Sequence, residues 1–407
     1  MKKTIIVFLS ACLFFPCLAQ AQTVNNWRGP LRDGQYDETN LLKEWPAGGP
    51  AMRWAFEGLG KGFTSAVPAG GKIYTSGMEG ETGFIYELSE QGELLRKFPY
   101  GEEISSSYPG TRSTPTIAGD LAYVATGHGK LFCMNLDTGR EEWSTDLFNE
   151  LDGSNIRWGY TENLIIDGDL IYCSPGGKKY NVVALNRHTG HVVWSSPGKG
   201  GLSAYCSPLL INHQGQKILV TMMQANILGL DAGTGALLWS HPHANQRNIH
   251  PNTPLYHDNS LYCFSGYGKG GLQLRLNASG TQVTQVWENE TLDPQLGGAV
   301  LVDGFIYASG DRNRRWFALD WETGEIMHET RDIDKGNVIA ADGMLYAYTE
   351  RGELALLEPG TGSFRIVSQT QIELGSDQHW AHLVIHNGIL YVRHGNALMA
   401  FDIRKSQ

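Results

Sequence analysis

The feature that most constrains this chain is a unit that recurs along it and closes on tryptophan. Residues 113–143 read STPTIAGDLAYVATGHGKLFCMNLDTGREEW, and related stretches end at Trp194, Trp239 and Trp287. Each reads as four short strands: an apolar run, a Gly/Asp turn, an "IY" strand, a loop, an "ALD"-like strand, a "TG" turn and a last strand ending on Trp. Turn residues at regular intervals between β-rich runs are the pattern of a propeller, in which each unit is one blade. The "IY" tyrosines count the blades. They are Tyr74, Tyr123, Tyr172, Tyr262, Tyr307, Tyr346 and Tyr391, and the region of Ile218 fills the gap before Tyr262. That makes eight.

The last unit stops after Ala397 to Asp402, without a closing strand, while Ala51 to Phe56 stands near the other end with no unit of its own. Pairing the two puts Trp54 where Trp143 and its equivalents stand and removes a free sheet edge. The expected fold is therefore all-β: an eight-bladed β-propeller of four-stranded antiparallel blades, the last completed by an N-terminal strand. The closing tryptophans are expected to fill wedges between blades, and units with Met327 or Phe364 near that place to dock more weakly.

Residues 1–21 read as a signal peptide. Lys2 and Lys3 precede an apolar run from Ile5 to Phe15, and Ala19-Gln20-Ala21 has the small residues of a cleavage site. Residues 22–50 form a lead segment expected to pack on the propeller domain, residues 51–407. The run is too short to span a bilayer, and no later segment qualifies. A lipoprotein reading, with Cys12 lipidated after Leu9-Ser10-Ala11, is the alternative. Export to the periplasm or beyond is expected either way, with a monomer as the expected state. A net charge of −10 speaks against nucleic acid as a partner. Cys133, Cys173, Cys206 and Cys263 sit in apolar strand patterns, without a CxxC, an adjacent pair or a haem-attachment motif, and read as buried free thiols.

The likeness to a known group runs over nearly the whole mature chain. Trp27-Arg28-Gly29-Pro30 with Asp33-Gly34, Leu41 to Pro46, Arg112-Ser113-Thr114-Pro115-Thr116, Trp158-Gly159-Tyr160-Thr161-Glu162 and the repeated "LDxxTGxxxW" resemble secreted PQQ-like β-propeller repeat proteins. That superfamily includes quinoprotein alcohol dehydrogenases. The resemblance implies for such enzymes a PQQ site with an adjacent-cysteine disulfide, a calcium ion and an aspartate base, and no motif of this chain supplies them. The chain is also similar in length and repeat to the non-enzymatic propeller lipoprotein that helps assemble outer-membrane β-barrels, a precedent for scaffolding.

The expectation is a non-catalytic envelope propeller that binds a protein or a glycan-like polar ligand without a cofactor. The alternative is a PQQ- and calcium-dependent alcohol or sugar dehydrogenase. The candidate ligand-binding residues stand at the entrances to the innermost strands, on the face carrying the inter-blade loops: Arg112, Trp158, Tyr160, Glu162, Tyr205, His250, Asn252, Asn337, His379, Trp380 and His382. Aromatic faces stack and Arg grips carboxylates or phosphates, a set suited to a polar ligand. Glu162 is the one candidate base, as a carboxyl beside aromatics, but with no second acid or nucleophile evident an orienting hydrogen-bond role is the preferred reading. His379 and His382, three apart, would point to opposite faces of a strand, and His241 and His243, flanking Pro242 near His250, are the better cluster; satisfied surface or core histidines are the default, and no metal site is expected. The loops joining second to third strands on that face carry an excess of Lys and Arg, among them Arg312, Arg314, Arg315, Arg351 and Arg393. The neighbouring inter-blade loops are acidic.

Overall fold

A computed structural model describes residues 24–405, and among them there are strands, turns and loops but no helix. The leader and Cys12 lie outside the described residues. Eight sheets follow one another along the chain, at residues 67–102, 116–146, 165–196, 209–242, 255–289, 300–330 and 336–371 and, for the eighth, 384–402 joined by Ala51–Phe56. We number these blades 1 to 8. In the eighth, Trp54 stands opposite Ala400 and Ala55 opposite Met399, so the first full strand of the ring completes its last blade. Ring closure follows the repeat pattern read from the sequence.

Between the third and fourth strands every blade carries a register shift at the same place, beside the residue that closes the unit. A bulge bends its strand and adds twist. Here it turns the closing side chain out of its own sheet toward the next blade. Trp143 lies tilted against Tyr123 of its own blade, at 6.1 Å between centroids, and donates its indole N–H to the carbonyl of Arg187 in the blade 3 turn. Trp194 repeats this with Ala232, Trp287 with Trp321 and Trp54 with Glu90. The "TG" glycine is required there: Gly190 has φ +71, and a Cβ on it would lie 2.6 Å from the Trp143 ring.

Three blades solve the wedge differently. In blade 1 the position falls to Arg96, which pairs with Glu87 at 2.7 Å and donates to the carbonyl of Asp137 in the next turn. In blade 6 the register puts His328 there, not Met327, which is half exposed. His328 meets the Phe364 ring of blade 7 edge-on at 4.8 Å, so Phe364 serves as the receiving surface of that wedge. Blade 7 has Ser368, too small to fill the gap. The lead segment fills it instead: Trp45 is buried beside Tyr346, and its backbone N–H donates to Ser368 Oγ.

The rest of the lead crosses the channel as an arch. Val24–Asn25 runs antiparallel to the inner strand of blade 2 and Gln35–Tyr36 parallel to that of blade 7, so the chain climbs one wall and descends the other. Inner strands start on the face carrying the inter-blade loops, so the apex, near Trp27 to Gly34, lies toward that face. Two fully buried arginines brace it. The Arg28 guanidinium donates to the carbonyls of Ala299 and Val338 and to His382 Nδ1, tying blades 6, 7 and 8 together. Arg32 donates to the carbonyls of Asn163 and Leu164 at blade 3.

Candidate functional site

Above the arch, on the inter-blade-loop face, lies a cavity of about 350 Å³. This is within the range of roughly 300–1,000 Å³ common to small-ligand pockets. Trp27 is its floor. One wall holds Phe63, Trp380 and Tyr108, with Trp380 at 5.0 Å from each of the other two rings. The other holds Trp158 and Tyr205, 6.4 Å apart, with Tyr267 beyond. The Tyr205 hydroxyl accepts the backbone N–H of Trp158, and Gln295 donates to the Tyr267 hydroxyl.

The backbone under these rings is unusual. Tyr108, Tyr205 and Tyr267 all have left-handed φ, of 52°, 69° and 62°. Most other non-glycine residues in that region are Asn or Asp in turns, where the conformation is ordinary. For a tyrosine it costs on the order of 1–3 kcal/mol, and such strain gathers at functional sites. All three of the strained tyrosines face one cavity. The arch beneath repeats the feature at Arg28 and Arg32, each with φ 61°.

Of the residues singled out from the sequence, Arg112, Trp158, Tyr205, Trp380 and His382 line this cavity. Arg112 donates to the carbonyls of Ser107, Tyr108 and Gly110, holding the loop that carries Tyr108. His382 is in the floor: it accepts Arg28 at Nδ1, which leaves the proton on Nε2 to donate to the Leu296 carbonyl. Burial, then the Arg28 charge, push its pKa down to about 3, so the ring is neutral.

The other six lie off the cavity lining, for physical reasons. Tyr160 and Glu162 are fully buried behind it; the Tyr160 hydroxyl and the Ser174 backbone N–H both donate to the Glu162 carboxylate. Burial drives that carboxyl up to about 7, while the Tyr160 and Ser174 bonds and the Arg32 charge pull it down. No substrate-facing surface is left to it. Asn252 and Asn337 are latches: each amide bonds backbone of the following blade, Asn252 to Pro294 and Gly298 and Asn337 to Ala381 and Leu383. His250 is buried against His243 and bonds the Gln224 carbonyl. His379 is stacked on His394 at 3.6 Å and takes the Tyr348 hydroxyl.

The sequence reading missed Trp27, Phe63, Tyr108 and Tyr267 as cavity residues. Two of them had a visible mark: Tyr267 is flanked by Gly266 and Gly268, and Tyr108 precedes Pro109-Gly110. Part of the basic excess of the loops is spent within the face. Lys335 pairs with Asp311 and Glu350, Arg314 and Arg351 with Asp334, Lys269 with Glu288 and Arg315 with Glu329. Arg393, counted as a loop cation, is buried and donates to Thr75, the Gly395 carbonyl and the region of Thr64.

This architecture defines an eight-bladed propeller of PQQ-like repeats with a ring-lined cavity closed below by its own lead segment. A family model described as outer membrane protein assembly factor BamB matches residues 82–330, more than half of the chain, and the chain belongs to that family. It is 24% identical over 299 residues to the outer membrane protein assembly factor BamB of Yersinia pestis, covering 68% of this chain and 70% of that one. It is 27% identical over 193 residues to the tetrathionate hydrolase of Acidithiobacillus ferrooxidans, covering 44% of this chain and about a third (36%) of that enzyme's length. The crystal structure of BamB from Moraxella catarrhalis superposes with TM-score 0.62 at 15% identity, over 87% of this chain and 99% of that one, a likeness of fold.

PQQ with calcium, implied by the superfamily, asks for a vicinal disulfide and a cluster of oxygen donors. The four described cysteines are buried, free and far apart in the chain, in or beside blades 2, 3, 4 and 5. Among the described residues no group of three or more His, Cys, Asp or Glu could hold a metal ion. Glu350, the acid in the cavity lining, lies 3.3 Å from Lys335. The residues present do not fit that cofactor.

Proposed function

We propose that the protein is a non-catalytic binding propeller of the cell envelope, which captures a protein or a glycan-like polar ligand on the inter-blade-loop face. The observation that carries this reading is the convergence of Tyr108, Tyr205 and Tyr267, each held in a left-handed backbone conformation, on one cavity. Strain kept at three separate loops and aimed at one place is what presenting rings to a ligand requires. An envelope location agrees with the basic, apolar leader read from the sequence and with kinship to outer membrane assembly factors. No helix among the described residues is long and apolar enough to cross a membrane.

The test compares Trp158→Ala with wild type. Trp158 is half-buried at the cavity wall, so its removal is expected to abolish capture of glycan-array ligands and envelope proteins while stability changes by less than about 0.5 kcal/mol. Unfolding instead, with capture retained in the folded fraction, would make the wall a packing feature. Binding of PQQ with calcium, read as a rise in melting temperature at saturation, would reinstate the dehydrogenase alternative.

A further inference from the structure

We infer that the cavity is a subsite for an acidic saccharide, a sugar ring bearing a carboxylate, gripped on its faces by the aromatic walls and on its charge by Arg112 and Arg157. This deepens the binding reading above and rests on it.

Three observations lead here. The first is the pattern of spent and unspent charge. Lys269, Arg314, Arg315, Lys335 and Arg351 each have a carboxylate partner, whereas Arg112 and Arg157, like Arg247 and Arg312, make no ion pair among the described residues. A guanidinium has five N–H groups, and Arg112 gives three to loop carbonyls, leaving two. Arg157 is exposed, with its guanidinium 4.8 Å from the centre of the Trp158 ring. Beneath the floor, Arg28 lies 5.8 Å from the Trp27 ring, and it too lacks a carboxylate partner. Arg112 in the lining, Arg157 beside Trp158 but outside the lining, and Arg28 below outnumber the one lining carboxylate, Glu350, which Lys335 already pairs, so anions are favoured there.

The second is the wall chemistry. Facing rings take the C–H faces of a sugar as they take any flat apolar surface, while guanidinium N–H groups make the charge-assisted bonds a carboxylate needs. The third speaks against a peptide strand as occupant. Strand addition uses unpaired backbone N–H and C=O groups along an edge. At the cavity, backbone groups are committed to latches: the Thr114 N–H to Asn163 Oδ1, the Asn163 N–H to Ser207 Oγ and the Gly298 N–H to Asn252 Oδ1. Side chains, not backbone, are on offer.

The experiment is calorimetric titration of the full chain with digalacturonic acid, its neutral counterpart galactobiose, and an Asp/Glu hexapeptide, at low and high salt. The acidic sugar is expected to bind at least tenfold more tightly than the neutral one and to weaken with salt. Arg112→Gln and Arg157→Gln should each lose more affinity for the acid than for the neutral sugar. Arg157 is exposed, so its variant keeps the test alive if Arg112→Gln disturbs its loop. Equal binding of both sugars, binding of neither, or an acidic-sugar affinity indifferent to both variants would overturn the inference. Preference for the hexapeptide, lost in Trp158→Ala, would also overturn it while leaving the binding reading intact. Capture of every ligand unchanged in Trp158→Ala would bring down both.

Discussion

At the outer wedges Trp54, Trp143, Trp194 and Trp287 do one job four times. Each leaves its sheet at a bulge, covers its own blade's tyrosine and donates to a carbonyl in the next blade's turn. In the cavity nothing repeats: one blade's loop supplies Tyr108 and Arg112, another Trp158, others Tyr205, Tyr267 or Trp380. The two regions belong to the same eight blades, so the difference is not one of scaffold. Wedge positions face identical surroundings in each blade and converge on one answer, whereas cavity positions face a single shared space that eight different answers must fill together. Repetition marks what holds the ring; its failure marks the space the ring encloses.

The comparison breaks if the wedges are dispensable. Trp143→Ala should cost about 3–5 kcal/mol in urea melts, as for other buried aromatic truncations, and leave ligand affinity of the folded protein unchanged. A loss under about 1 kcal/mol would mean the ring does not depend on that wedge. Next in size is Arg28→Met, which leaves the Ala299 and Val338 carbonyls without their cationic donor at the join of three blades. About 1–3 kcal/mol is expected, together with weakened ligand capture, because the brace is also the floor support. Destabilisation without any effect on capture would separate the arch from the cavity.

A smaller effect sharpens the wedge rule. Trp239 occupies the same register position, but its indole N–H has no partner among the described residues. Trp143→Phe should therefore cost about 1 kcal/mol more than Trp239→Phe, the net worth of one buried hydrogen bond. Equal costs would show that ring volume alone sets the wedge.

The smallest effect lies behind the cavity. Glu162, like Glu103, is raised by burial to about 7. A carboxyl raised on folding holds a proton that the unfolded chain has released, so its contribution is full below about 4.5 and is lost as pH rises through about 7. His250 and His382, pushed by burial down to about 4 and about 3, act in the opposite sense: their contribution is full above about 6.5 and is lost as pH falls. Glu162→Gln, which keeps the neutral form, should thus lose less stability than the parent between about pH 5 and pH 8. Parallel stability–pH curves would place the Glu162 titration outside the folded protein.

Much of the fold was legible because its causes are local. The alternation of apolar residues, the Gly/Asp turns and the interval between "IY" tyrosines set strands and blade count, and the orphan strand around Trp54 set how the ring closes. The cavity was legible in part: Arg112, Trp158, Tyr205, Trp380 and His382 stand where strand entrances must converge. Asn252 and Asn337 stand there too, yet their amides turn sideways to the next blade, because a backbone N–H and C=O left bare at each join would be costly and an amide satisfies both. Residue type and position alone could not separate lining the cavity from latching the blades.

Taken by itself, the amino-acid sequence determined the ring, its eight units and the strand that fastens it, since each rests on patterns repeated within a few tens of residues. Tertiary structure alone decided that residues 24–36 arch across the channel, that Trp45 fills the wedge blade 7 leaves open, and that three tyrosines meet over Trp27. These are contacts between single residues far apart in the chain, up to 323 positions for Trp45 and Ser368, made once each, and a contact made once leaves no period to read.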